Sequence, residues 1–243
     1  MKSFHTTLAH LVAAAALTLA GAHAQAGMVV QQYQFGGALG DANVAQLNAA
    51  IAANTTPDFT ATTTTINYTD RDDGSANFTG DHYTGDVAWP MSGVFGSGAA
   101  GNEEFGARIQ TQVFIATAGT YTFGTFADDG IALLIDGVQL YVRDTVGQRT
   151  DLATVALTAG YHAVDLRYSE HQGAADLEFF AAAGSHSRYS SDFRLVGDTA
   201  NGGLATSDVP EPNALALSAL ALAGLGWTRR TAHTQRQLQI SRV

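Results

Sequence analysis

The chain contains no cysteine. A disulfide framework and thiol catalysis are therefore both excluded, and the fold must rest on its core. Positive charge is also scarce: 12 Lys and Arg face 22 Asp and Glu, for a formal net charge of −10. One base, Lys2, lies at the start, and four (Arg229, Arg230, Arg236, Arg242) lie beyond residue 212. Residues 25–212 thus keep seven bases against all 22 acids, a formal charge of −15. A surface that acidic repels phosphate backbones, which argues against nucleic acid as a partner and is compatible with divalent cations and neutral sugars. Long helical patterns are few, and no apolar run is long enough to span hydrocarbon comfortably. Neither a His-Glu-x-x-His pattern nor a nucleophile elbow occurs.

What is present begins at the two ends. An apolar run from Leu8 to Ala20 follows Lys2 and exits through Ala22-His23-Ala24. Small residues at the two positions read by signal peptidase predict cleavage before Gln25, so residues 1–24 read as a secretory signal peptide. At the other end Val209-Pro210-Glu211-Pro212 precedes an apolar stretch from Ala214 to Trp227, closed by Arg229-Arg230. Fourteen such residues give a helix of roughly 21 Å, a weak span, with the arginine pair expected on the cytoplasmic side. This order resembles the PEP-CTERM signal of Gram-negative bacteria. The resemblance implies a transient membrane stay, processing near Pro-Glu-Pro by an exosortase, and release to a cell surface or an exopolysaccharide-rich matrix such as a biofilm. The polar tail, residues 231–243, departs from that pattern.

Between the ends the dominant period is two. Residues 28–35 read as a strand, Asp41 as the cap of a short helix with Val44, Leu47 and Ile51 on one face, and 57–68 as Thr-rich and β-prone. Residues 69–104 show no clear period and read mainly as loop. Strands follow at Ile109–Ala116 and around Thr120–Phe123. Ile131, Leu133 and Ile135 share one face, as do Val138, Leu140 and Val142. The Asp136-Gly137 pair between them predicts a hairpin, because both turn positions need positive φ. Two more strands (152–157 and 162–168) meet at Thr158-Ala159-Gly160, and Leu177 and Phe179 mark another. Residues 197–208, rich in Gly, Thr, Ser and Asp, read as a linker. The expectation is all-β: a single antiparallel β-sandwich over 25–196, a linker over 197–208, and a sorting segment over 209–230.

A second resemblance rests on Phe105-Gly106-Ala107-Arg108, Thr117-Ala118-Gly119-Thr120-Tyr121-Thr122-Phe123, Ala127-Asp128-Asp129-Gly130, Leu133–Gly137 and Leu157-Thr158-Ala159-Gly160-Tyr161-His162. This series resembles the protective-antigen-type (PA-fourteen) domain, a β-sandwich found in toxins, glycosidases, adhesins and flocculins. In its lectin members paired aspartates matching Asp128 and Asp129 ligate Ca²⁺, which in turn holds sugar hydroxyls. Adjacent carboxylates are hard oxygen ligands suited to that ion. The alternative is that Asp129-Gly130 is only a turn, and both readings stand at this point.

Other motifs carry less. Asp70-Arg71-Asp72-Asp73-Gly74 has the wrong spacing for an EF-hand and reads as a solvated acidic loop. Gly96–Gly101 satisfies a dinucleotide fingerprint only literally, since no strand and helix flank it. His82, His162, His171 and His186 are not in metal-ligand spacing. His162 shares the parity of Val164, Leu166 and Tyr168 and reads as a strand-end core residue. Asp165 and Arg167 share the opposite face and can pair. The leading functional expectation is a non-catalytic exported protein that binds carbohydrate or exopolysaccharide, with Ca²⁺ at Asp128 and Asp129. The alternative is a structural or protein-interaction matrix module without a sugar site. A glycosidase reading is weak, because no carboxylate pair is singled out and no separate catalytic domain fits.

Overall fold

Alternation of apolar and polar side chains turns into sheet faces throughout the computed structural model, which describes residues 27–35, 43–69, 81–90, 104–171 and 175–208. In β1 (Met28–Gln34), Met28 and Val30 are fully buried while Val29 and Gln31, which alternate with them, are partly open. A short helix follows, α1 (Val44–Ala52). Its cap is Asn43, whose side chain accepts a hydrogen bond from the Ala45 N–H at 2.9 Å. The expected cap, Asp41, lies outside the described residues. Val44 and Leu47 are buried and Ile51 half-buried, which is the face the spacing predicts.

The strands continue as β2 (Phe59–Thr63), β3 (Asn67–Thr69), β4 (Val87–Ala88), β5 (Phe105–Ile115), β6 (Gly119–Asp128) and β7 (Gly130–Ile135). They end with β8 (Val138–Arg143), β9 (Arg149–Leu157), β10 (Gly160–Glu170), β11 (Asp176–Ala183), β12 (Arg194–Leu195) and β13 (Thr206–Ser207). Sheet one runs β2-β1-β5-β10-β7-β8, with β13 also on β5. Sheet two runs β4-β3-β11-β6-β9, with β12 also on β11. Among the described residues the ladders are antiparallel except the two-residue pairing of β3 with β4. The Thr-rich and aromatic strands thus form the two layers of a β-sandwich.

The layers enclose one large core. Ile109, Ile131, Leu133 and Leu166 come from sheet one, and Phe123, Leu177 and Phe179 from sheet two. Trp89 is buried at one end of this core, its ring 4.8 Å from Tyr168, 4.9 Å from Tyr68 and 5.0 Å from Phe105. Residues 81–90 are therefore not the plain loop that their composition suggests: they add the β4 bridge and a core indole. Close contacts fix two glycines. A Cβ at Gly106 would meet Leu47 of α1 at 2.9 Å, and one at Gly124 would meet Leu152 and Phe180 at 2.4 Å. On the outer side of sheet one Asp165 is clasped by Arg108 (2.7 Å) and Arg167 (2.8 Å). Arg167 also donates to Asn48 Oδ1 of α1 at 2.7 Å.

Residues 197–208 are held to the sandwich. A 3-10 turn spans Thr199–Asn201, the Gly197 N–H donates to the Leu204 carbonyl at 2.8 Å, and Thr206 and Ser207 pair with Val113 and Gln112. Polar, Gly-rich composition reads as linker because it carries no apolar period, yet its backbone N–H and C=O groups still complete a sheet edge.

Candidate functional site

Asp128 closes β6 in sheet two and Gly130 opens β7 in sheet one, so the Asp128-Asp129-Gly130 segment carries the chain from one layer to the other. It is not a hairpin turn. The peptide bond between the two aspartates is cis. Pairing places Asp128 opposite Asp176 of β11 and Gly130 opposite Ser169 of β10, which brings the ends of both strands under this corner.

The two carboxylates have different surroundings. Asp129 is only 3% exposed. Its Oδ1 accepts from the Gly147 N–H at 2.5 Å and its Oδ2 from the His171 N–H at 3.1 Å, so it ties the β8–β9 loop and the end of β10 to the corner. Asp128 is half-buried, and its carboxyl is pushed up to about 7. Burial is the first cause and the neighbouring Asp129 the next. A Gln148 hydrogen bond and the Arg143 charge pull the other way. Beneath the pair, the Tyr168 hydroxyl donates toward the Asp128 carbonyl oxygen and the Glu170 carboxyl, 2.5 Å away at Oε2. Burial and Glu170 hold the phenol well above its ordinary range, so it stays a neutral donor. Arg143 pins the adjoining loop: it donates to Asp151 Oδ2 at 2.8 Å and, at 3.0 Å each, to the carbonyls of Ala127, Thr145 and Gly147.

This arrangement fits part of a calcium cradle. Burial does most to hold the Asp128 carboxyl up, and the part due to Asp129 is what a hard cation would relieve. Each oxygen of Asp129 accepts one N–H and has a second lone pair for a metal. Asp128 and Asp129 would supply the charged ligands. Among the described residues no group of three or more His, Cys, Asp or Glu is arranged to hold an ion, so the remaining ligands would be carbonyl oxygens or water.

Two further acids that sequence reasoning did not single out lie on the outer face of β11. Asp176 (2% exposed) is pushed up to about 8 by burial and by the charges of Asp81 and Asp86. Glu178 (1% exposed) is pushed up to about 10 by burial and by its hydrogen bond to Asp81. Alternation with Leu177 and Phe179 makes them read as a solvated face. They are buried because residues 81–83 lie over them, with the His82 and Tyr83 N–H groups donating to Glu178 Oε1 at 3.0 and 2.7 Å. No local signal could have revealed that cover.

The other candidates sort simply. His162 is buried, with Nδ1 2.6 Å from Asp136 Oδ2 and Nε2 2.9 Å from the Thr158 carbonyl, which makes it a strand-end structural residue. His82 stacks on Tyr189, and His186 lies edge-on to Phe193. Ala22, Ala24, Gln25, Val209, Pro210, Glu211, Pro212, Arg229 and Arg230 lie outside the described residues, as do Asp70–Gly74 and Gly96–Gly101.

Comparison with known proteins adds the following. The PA14 domain matches residues 45–191, and the PEP-CTERM protein-sorting motif matches residues 208–230. Among solved structures, the PA14 domain of the MpAFP antifreeze protein is 21% identical, with a TM-score of 0.52 over 76% of this chain and 93% of its own. The PA14 sugar-binding domain from an RTX adhesin is 23% identical, with a TM-score of 0.49 over 70% and 94%. The Epithelial Adhesin 9 A domain from Candida glabrata, solved with Galb1-4GlcNAc, is 10% identical, with a TM-score of 0.48 over 78% and 92%. No curated protein matches the sequence. The likeness to the first of these structures agrees with the β-sandwich.

Proposed function

Because this chain belongs to the PA14 domain family, we propose that it is an exported, surface-associated module that binds carbohydrate without catalysis, through Ca²⁺ held at Asp128 and Asp129. The observation that carries the reading is the corner itself. Two adjacent carboxylates stand where the chain crosses between sheets, one buried and fixed by two N–H donors, the other pushed up to about 7 by burial and its neighbour. A turn would need only one of them. A bound cation would also present open coordination positions to the vicinal hydroxyls of a sugar. The sorting motif supports delivery to the surface through an exosortase, after signal peptidase has removed residues 1–24. Exopolysaccharide and biofilm matrix of a Gram-negative-type cell are the setting this reading expects.

The test is a glycan screen with and without calcium, run on wild type and on D128N/D129N. Binding by wild type that needs calcium and is absent from the double variant supports the reading. Calcium-independent binding, or equal binding by the variant, rejects the corner as the sugar site. A second reading, a structural or protein-interaction module of the matrix, is favoured by one feature. Val138, Val142 and Val146 are each at least half exposed along the β8 edge of sheet one and the loop after it.

A further inference from the structure

Basic residues are so few that the placement of each can be followed. Residues 25–212 contain no lysine. Among the described arginines, Arg108 and Arg167 share Asp165, and the buried Arg143 is saturated by Asp151 and three carbonyls. Arg194 donates to the carbonyls of Ser191, Phe193 and Asn201. Two remain. Arg149 has a 68% exposed side chain and makes a loose 3.5 Å contact with Asp151, a carboxylate that Arg143 already holds at 2.8 Å. Arg188 is exposed, with no ion pair among the described residues.

Both line one cleft of about 460 Å³ at the free end of sheet two, where Arg149, Thr150 and Asp151 of β9 face Ser187, Arg188 and Tyr189. Its wall is rigid. The Tyr189 ring stacks on His82 at 3.7 Å and 5°, and His82 Nε2 lies 2.8 Å from Thr150 Oγ1. The lining sets two arginines against one carboxylate, Asp151, which the buried Arg143 also holds, so the cleft is locally positive on a strongly acidic molecule.

We propose that this cleft binds a carboxylate-bearing sugar chain, a polyuronate. Guanidinium groups grip a planar carboxylate through paired N–H donors, and the two arginines least engaged by acids in the described fold share this cleft. Thr150, Ser187 and Asp151 offer donors and acceptors for ring hydroxyls, while Tyr189, stacked on His82 and Phe193, fixes that side of the cleft. The volume suits an oligosaccharide segment rather than a single inorganic anion. The site goes beyond the calcium corner: it shares no residue with Asp128 and Asp129 and needs no metal.

The experiment uses the full chain in EDTA, titrated calorimetrically with tri-galacturonate and tri-mannuronate, each beside its neutral methyl ester. Wild type binds at least one acid and neither ester, and salt weakens the binding. R149Q/R188Q binds about tenfold or more weakly at an unchanged melting temperature, whereas D128N/D129N binds as wild type does. No binding by wild type, equal binding of acid and ester, or wild-type affinity in R149Q/R188Q overturns the proposal. Loss in D128N/D129N with retention in R149Q/R188Q overturns it in favour of the corner. Because calcium is absent throughout, failure here leaves the calcium-dependent reading untouched, and the converse holds.

Discussion

Two Asp-Gly pairs lie seven residues apart, at Asp129-Gly130 and Asp136-Gly137, and they do opposite things. The second is a hairpin turn: Asp136 and Gly137 have φ of 51° and 78°, and β7 and β8 pair directly across them. The Asp136 side chain is 49% exposed and reaches His162 and the Ala163 N–H of the next strand, so it clips a surface turn to its neighbour. The first pair joins strands of different sheets, and Asp129 is buried with each oxygen accepting one backbone N–H. The same dipeptide is therefore a local device in one place and a tertiary joint in the other. What separates them is the residue before: Asp128 adds a second carboxylate that no turn requires.

The comparison breaks most visibly at the acid itself. Asp129→Ala strands two N–H donors around a buried position and should cost about 2–4 kcal/mol, against about 1 kcal/mol for Asp136→Ala. Chemical denaturation of both variants measures the difference, and equal costs would erase the distinction between the two pairs. Calcium sharpens it next. For an affinity of about 0.1 mM and about 1 mM free ion, wild type should gain about 1.4 kcal/mol, read as a rise in melting temperature. D128N/D129N should lose that rise and D136N should keep it. A third probe, Gly137→Ala, places a side chain at positive φ with no neighbour within 4 Å. Its cost of about 1 kcal/mol is then purely conformational and leaves the calcium response intact.

The smallest effects lie in pH. Asp128 in the fold sits at about 7 rather than 3.8, so the native state holds its proton more tightly than the unfolded chain. The Asp128 contribution to metal-free stability should fall as pH rises between those values, by on the order of 1 kcal/mol after solvent screening of a half-buried group. Asp176 and Glu178 add falls of the same sign, so the difference between wild type and D128N isolates it. For His162, burial lowers its pKa, but Asp136 and the Thr158 carbonyl outweigh burial and leave it raised above 6.5. Its contribution is complete below 6.5 and disappears as pH climbs through the folded value, a later loss that H162Q should remove. Melting-temperature differences between wild type and each variant, followed across pH, separate the corners. A single shared window would merge them.

Legibility in the sequence follows the same divide between local and distant causes. The Asp136-Gly137 hairpin, the α1 face of Val44, Leu47 and Ile51, and the Asp165–Arg167 pairing were readable, because each is decided by residues within a few positions. The doubled aspartate is flagged by the family resemblance together with its charge, but its crossing between sheets is not legible, since β6 and β7 differ only in distant partners. Trp89 lies in an aperiodic stretch and is buried by Tyr68, Phe105 and Tyr168 from three separate strands. Asp176 and Glu178 alternate with core residues as a solvated face does, and only the overlying 81–83 segment makes them buried acids. The arginine cleft joins residues almost forty positions apart in the chain, so no window of sequence contains it.

The last strand gives the molecule a mechanical character. Both ends of the sandwich are fastened to one strand: β1 pairs with β5 through Val29 and Gln110, and β13 pairs with it through Ser207 and Gln112. A pull on whatever follows Asp208 is therefore taken up first by a two-residue seam, where the Phe114 N–H donates to the Ala205 carbonyl at 2.9 Å and Thr111 Oγ1 to the Ser207 carbonyl at 3.1 Å. That seam is the shortest ladder described in sheet one, two residue pairs against eleven between β5 and β10, so force entering at Asp208 meets the fewest hydrogen bonds before it meets the core.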